Sequence, residues 1–160
     1  MLKDVFAWLK TIMKKPDKYA DLKLFPVFNE CSSFELYLLS NFLHKRTYQA
    51  GEILYDKGYP LEVIYFVLSG EIEVTGPTHP QGCYVIGKNQ VLGLIDMFSE
   101  ETRSSSAKAI TDVTTYVISR FDLLDLAKQN PHLGVKLLYA FCQTLSNYIL
   151  TISAIKAKIE

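Results

Sequence analysis

The hydrophobic pattern changes period twice along the chain, from helical to strand-like near residue 47 and back to helical near residue 119. Over the first fifteen residues Leu2, Val5, Phe6, Leu9, Ile12 and Met13 share one helical face, with Lys3, Lys10, Lys14 and Lys15 elsewhere. Such a face packs on its own domain or lies on a membrane, and packing is the simpler use. Pro16 and Asp17 break the pattern. Ser32 and Glu35 then form a capping-box pair ahead of Leu38, Leu39, Phe42 and Leu43, which predicts a second helix ending near His44 to Arg46. Helices therefore fill 1–45. From Thr47 to Ile118 seven of the eight glycines separate short runs rich in Val, Ile, Tyr and Phe, the rhythm of an antiparallel sandwich or barrel. Val63 to Leu68 reads as a strand apolar throughout, with further strands at 52–56, 71–75, 83–87, 106–110 and 113–118. Ser119 is placed to cap a helical turn containing Asp122, and Asn130-Pro131 is an N-cap followed by proline at the first helical position. The predicted organisation is 1–45, 46–118 and 119–160, with one long helix over 131–159.

On that long helix Leu138, Phe141, Leu145, Tyr148, Ile152, Ile155 and Ile159 are spaced 3, 4, 3, 4, 3, 4. This is a heptad seam and predicts a homodimer, with the flank at Cys142 and Ile149 left to pack on the sandwich. The alternative is that the seam packs on its own chain. Leu137 to Ile155 carries no charge for nineteen residues, about the length that spans a bilayer. Gln143, Thr144, Ser146, Asn147, Thr151 and Ser153 fall mostly away from the stripe. That pattern belongs to an amphipathic helix, and no membrane span is expected.

Composition narrows the function. With 160 residues and 49% hydrophobic content the chain has mass for one real core. Seventeen basic residues balance seventeen acidic ones, so no overall field attracts nucleic acid or an anionic membrane. Cys31, Cys83 and Cys142 are too far apart in sequence for a zinc motif and are odd in number, which suits a reducing cytoplasm. The lysine-studded amino terminus does not read as a secretory signal. His44, His79 and His132 are scattered, so no metal site is expected. Neither a nucleophile elbow nor a Walker-type loop is present, and no catalytic residue is nominated.

The segment YQAGEILYDKGYPLEVIYFVLSGEIEV, with Gly51-Glu52, Gly58, Tyr65 to Leu68 and Gly70-Glu71, resembles the first half of a cyclic nucleotide-binding domain. VLGLIDMFSEETRSSSAKAITDV is similar to that family's phosphate-binding cassette, here 91–107. The nearest resemblance is to the sensor domain of Crp/Fnr-type regulators. It implies an α+β, mainly β fold: an antiparallel jelly-roll sandwich, cupin-like, with N-terminal helices and a long C-terminal dimerisation helix. It also implies cyclic AMP or cyclic GMP as ligand and no other cofactor.

A cyclic phosphodiester suits a guanidinium making paired hydrogen bonds, supported by hydroxyl and backbone donors. Arg103 is placed for that role, with Ser104 and Ser105 beside it, and Gly93, Leu94, Ile95 and Asp96 form the other side of the cassette. Arg103 equally suits a structural salt bridge. The family places a glutamate for the ribose hydroxyl directly after the cassette glycine, where this chain has Leu94. A hydrogen bond to a charged group contributes about 1.5–3 kcal/mol, so its loss weakens nucleotide binding by roughly ten- to a hundredfold. Asp96 either reaches the sugar from another angle or pairs with Arg103 and fills the pocket. Glu100 and Glu101 add negative charge nearby in sequence. Tyr148 is placed to stack on a base or to pack in the dimer.

Two readings follow. One is a regulatory ligand-binding module that is homodimeric and non-catalytic. The other is a degenerate member of the family that binds no nucleotide and serves as a dimerisation or protein-interaction scaffold. The helix-turn-helix of Crp/Fnr regulators is missing, so direct DNA binding by this chain is not expected. A free-standing sensor and a piece of a longer regulator both fit.

Overall fold

The computed structural model describes residues 19–77, 79–98 and 102–159. The amphipathic segment 1–15, together with Glu100 and Glu101, lies outside the described residues. The elements run α1 (Ala20–Lys23), a 3-10 turn (Pro26–Phe28), α2 (Ser33–Ser40), β1 (His44–Tyr48), β2 (Ile53–Tyr55), β3 (Val63–Ser69), β4 (Ile72–Thr75), β5 (Cys83–Ile86), β6 (Val91–Leu92), α3 (Leu94–Met97), β7 (Ser106–Ala109), β8 (Val113–Ser119), α4 (Arg120–Gln129) and α5 (Pro131–Ile159). Two four-stranded sheets, ordered β1-β8-β3-β6 and β2-β7-β4-β5, face each other with antiparallel pairing. The jelly-roll sandwich read from the sequence is the fold.

The two periods explain the layers. In β4, Ile72 and Val74 point into the sandwich while Glu73 and Thr75 face out, the alternation of a strand buried on one face. β3 is covered on both faces. Its Val63, Tyr65 and Val67 join the interior between the sheets, whereas Ile64 and Phe66 join a second core under the helices. There Phe25, Phe28 and Phe66 meet with ring centroids 5.0–5.9 Å apart, within the favourable range for aromatic pairs.

Two strands were not expected, the two-residue β6 and the longer β1. The second helix stops at Ser40, and His44 to Arg46, read as the end of that helix, belong to β1 (His44–Tyr48). Its residues HKRTY are nearly all exposed and pair with β8 at the sheet margin. Charged side chains are common on such margins because they discourage pairing with other chains, and the same charges hide the strand from a hydrophobic pattern.

The capping box forms as predicted. Glu35 N donates to Ser32 Oγ at 3.2 Å, and Ser32 N donates to Glu35 Oε2 at 2.7 Å. Lys136 Nζ of α5 also donates to both Glu35 oxygens at 2.8 Å, and His132 Nδ1 lies 3.5 Å from Oε1. The hydrogen bond from Lys136, then the one from the Ser32 backbone, pull the Glu35 carboxyl from 4.5 to about 2. A carboxyl with a depressed folded pKa contributes stability that is present above its unfolded value and lost as pH falls through the folded one. The midpoint of thermal unfolding of Glu35→Gln is therefore expected to lie below wild type at pH 7, and the gap to close between pH 4.5 and 2.

The long helix corrects the seam. Leu133, Leu137 and Phe141 are buried, and Leu145 packs against the same core. Phe141, expected at a dimer contact, is 1% exposed within its own chain. Cys142 and Ile149, expected to face the sandwich, are exposed. The reason is that the row 133-137-141-145, four residues apart, is the ridge that packs into the helical core against α4, the 3-10 turn and α3. The apolar stripe left outward is Val135, Leu138, Tyr139, Cys142, Ile149 and Leu150. Of the remaining expected contacts, Leu138 is exposed, and Tyr148, Ile152 and Ile155 are half-buried. Ile159 belongs to the helix. Gly134 lets α5 approach α4, since a Cβ there would stand 2.7 Å from Ala127 Cβ.

Candidate functional site

The cassette begins where β6 ends. Gly93 holds a φ of +96°, a region glycine enters readily, and a Cβ on it would lie 2.7 Å from Arg103 Nη1. α3 follows and turns its side chains to different ends. Leu94 enters the helical core at 4% exposure, Ile95 faces outward, and Asp96 is 4% exposed. The chain returns along the β2–β3 connection, where Arg103 N donates to Tyr59 O at 2.8 Å and Gly58 N donates to Arg103 O at 2.9 Å. These bonds fix the arginine backbone against a rigid edge.

The Arg103 side chain is 2% exposed. Its Nη2 donates to Val63 O at 2.6 Å, and its Cζ lies 4.0 Å from the centroid of Tyr55 and 5.7 Å from that of Tyr65. Guanidinium over a ring face is an attractive arrangement, more so when desolvated. Nη1 is 3.8 Å from Asp96 Oδ2, and neither Nη1 nor Nε makes a hydrogen bond among the described residues. Ser104 completes the group, its hydroxyl donating to Asp96 Oδ1 at 2.6 Å and its N–H donating to the same oxygen at 3.3 Å. A hydroxyl, a backbone N–H and a guanidinium thus converge on one carboxylate, a donor set that equally suits a phosphate.

Gly93, Asp96, Arg103 and Ser104 come together as the sequence suggested. Ser105 is buried next to Gly76, and Leu94 is structural. Tyr148 lies across from the cassette with its ring 6.0 Å from that of Tyr84. The space bounded by Tyr84, Ile86, Leu94, Thr144, Leu145 and Tyr148 is about 60 Å³, against about 300–1,000 Å³ for ordinary small-molecule pockets. More open hollows lie nearby, one of about 400 Å³ between Ile95 and the 148–152 side of α5, and one of about 290 Å³ beside Arg103, Tyr55 and Tyr59. Tyr55, Tyr65 and Tyr84 were not anticipated as site residues. Burial raises all three phenols, so they line the site as neutral rings. The aromatic content of the strands was visible in sequence, but which rings meet across two sheets was not.

The profile of the cyclic nucleotide-binding domain matches residues 45–130, more than half of the chain. The chain belongs to this family. A cyclic AMP receptor protein of Thermus thermophilus is 26% identical over 110 residues, 66% of this chain and 50% of that protein. A cyclic nucleotide-gated potassium channel of Rhizobium etli is 25% identical over 109 residues, 68% of this chain and 30% of that protein. The chain thus spans half or less of these relatives. The crystal structure of a cyclic nucleotide-binding domain from Methylobacillus flagellatus superposes with a TM-score of 0.79 at 22% identity, covering 90% of this chain and 85% of that one. Among the described residues of this cyclic nucleotide-binding domain, no helix is long and apolar enough to cross a membrane. Among the described residues no cluster of three or more His, Cys, Asp or Glu side chains is placed to hold a metal ion.

Proposed function

We propose that this chain is a non-catalytic regulatory domain whose cassette, as folded, is closed to cyclic nucleotides, and which acts as a homodimer through the outward stripe of α5. The supporting observation is the buried group of Asp96, Ser104 and Arg103, in which a carboxylate of the chain itself occupies the cassette. Leu94 in the core removes the family's ribose ligand, and the space enclosed beneath Tyr148 beside the cassette is about 60 Å³. The intact Arg103-Ser104 step is retained as a structural lock. Three free cysteines suit a cytoplasmic setting. The balanced charge argues against DNA as a direct partner, and a protein partner of the dimer is the expected output.

Titration calorimetry with cyclic AMP and cyclic GMP tests the closed cassette. No saturable heat is expected up to millimolar nucleotide, and micromolar binding overturns the reading. Dimerisation is tested separately by sedimentation equilibrium. Ile149 is 63% exposed on the outward stripe, so Ile149→Asp is expected to give a folded monomer from a dimeric parent. A variant that stays dimeric refutes the assignment of that stripe.

A further inference from the structure

The closed cassette proposed above has a specific cause: we infer that Asp96 is a tethered stand-in for phosphate, and that its carboxylate is what excludes phosphate and phosphodiester ligands from the Arg103–Ser104 donors. The geometry carries this in two parts. Ser104 gives Asp96 Oδ1 both of its donors, at 2.6 and 3.3 Å, so the best-formed anion position in the cassette is already taken. Arg103 is served less well. Its Nη1 stands 3.8 Å from Oδ2, beyond the usual 2.7–3.2 Å or so of a hydrogen bond, and Nη1 and Nε make no hydrogen bond among the described residues although the side chain is 98% buried.

Buried donors of a charged group left without acceptors are unfavourable. The carboxylate is therefore an incomplete occupant, with two oxygens where a phosphate brings three or four. It prevails because it is attached: a tethered group competes at an effective concentration of about millimolar or more. Removal of the carboxylate leaves the guanidinium and Ser104 donors in place, held by Val63 O, by the Tyr55 ring and by the backbone bonds of Arg103 to Tyr59 and Gly58. Such a cassette is an anion receptor that lacks an anion.

The test compares thermal midpoints of wild type, Asp96→Ala, Asp96→Asn and the double variant Asp96→Ala/Arg103→Ala, in chloride, in inorganic phosphate and with cyclic AMP, at matched ionic strength. Phosphate raises most proteins slightly by exclusion from their surface, and wild type and the double variant measure that background. Asp96→Ala is expected to rise above the background by roughly 5–10 °C at a concentration a hundredfold above its Kd. Asp96→Asn preserves the shape of the site and carries the test if the alanine variant does not fold. A further rise with cyclic AMP extends the ligand class to phosphodiesters, and a rise with phosphate alone restricts it to free phosphate, each in support. If neither single variant exceeds the background, the inference is overturned while the closed-cassette reading stands. If wild type itself responds to cyclic AMP, the closed-cassette reading is what fails.

Discussion

Arg103→Ala is expected to destabilise the domain by about 3–5 kcal/mol, the usual consequence of removing one member of a buried charge pair. The side chain is 2% exposed, and its loss takes the guanidinium away from the Asp96 carboxylate, itself 4% exposed. Val63 O loses a donor at 2.6 Å and the Tyr55 ring loses the group stacked on it. An arginine waiting in an open pocket for a ligand would behave otherwise, since solvent-facing substitutions usually change stability by about 0.5 kcal/mol or less. Urea unfolding followed by circular dichroism distinguishes the two, with an unchanged slope and a lowered midpoint as the expected result. Arg103→Lys is expected to recover part of the loss. It keeps the charge but cannot reproduce the planar fork that reaches Val63 O and Asp96 together.

Phe141→Ala is expected to cost about 3–5 kcal/mol, as for other fully buried aromatic residues. Phe141 is 1% exposed in the core that holds Leu133, Leu137 and the Phe25, Phe28 and Phe66 rings. Had it belonged to a dimer contact, its loss would weaken association and become invisible once the dimer is broken. The measurement is therefore made in the Ile149→Asp background, which is expected to be monomeric. The penalty of Phe141→Ala is expected to be about the same with and without Ile149→Asp, because sites with no shared partners add. A penalty that vanishes in the monomer returns Phe141 to the interface.

These residues also show what could be read from the sequence. The fold was legible where local signals agreed: the Ser32–Glu35 capping box, the continuous apolar run of β3, the glycine-punctuated turns, and Asn130-Pro131 opening α5. β1 was not legible, because an edge strand with one face in solvent and His, Lys, Arg and Thr along it carries no apolar alternation. The phase of α5 was misread by a fraction of a turn. Leu138 and Phe141 are equally apolar in sequence, and only the position of the helical core decides that Phe141 goes in and Leu138 stays out. For the cassette, Gly93, Arg103 and Ser104 were identifiable from donor chemistry. The choice between a salt bridge and a ligand-binding arginine was left open, because Asp96 is seven residues away in sequence and only the turn through α3 brings its carboxylate to Ser104. Tyr55 and Tyr84 sit on β2 and β5, whose side chains approach the cassette only through sheet packing.

The central claim is that the cassette is occupied by the chain's own carboxylate, and a crystal structure of the wild-type protein grown with millimolar cyclic AMP tests it most directly. The expected result is Asp96 within hydrogen-bonding distance of the Ser104 hydroxyl, Arg103 over Tyr55, and no nucleotide in the sandwich. A nucleotide phosphate on Arg103 and Ser104, with Asp96 turned away, would contradict it.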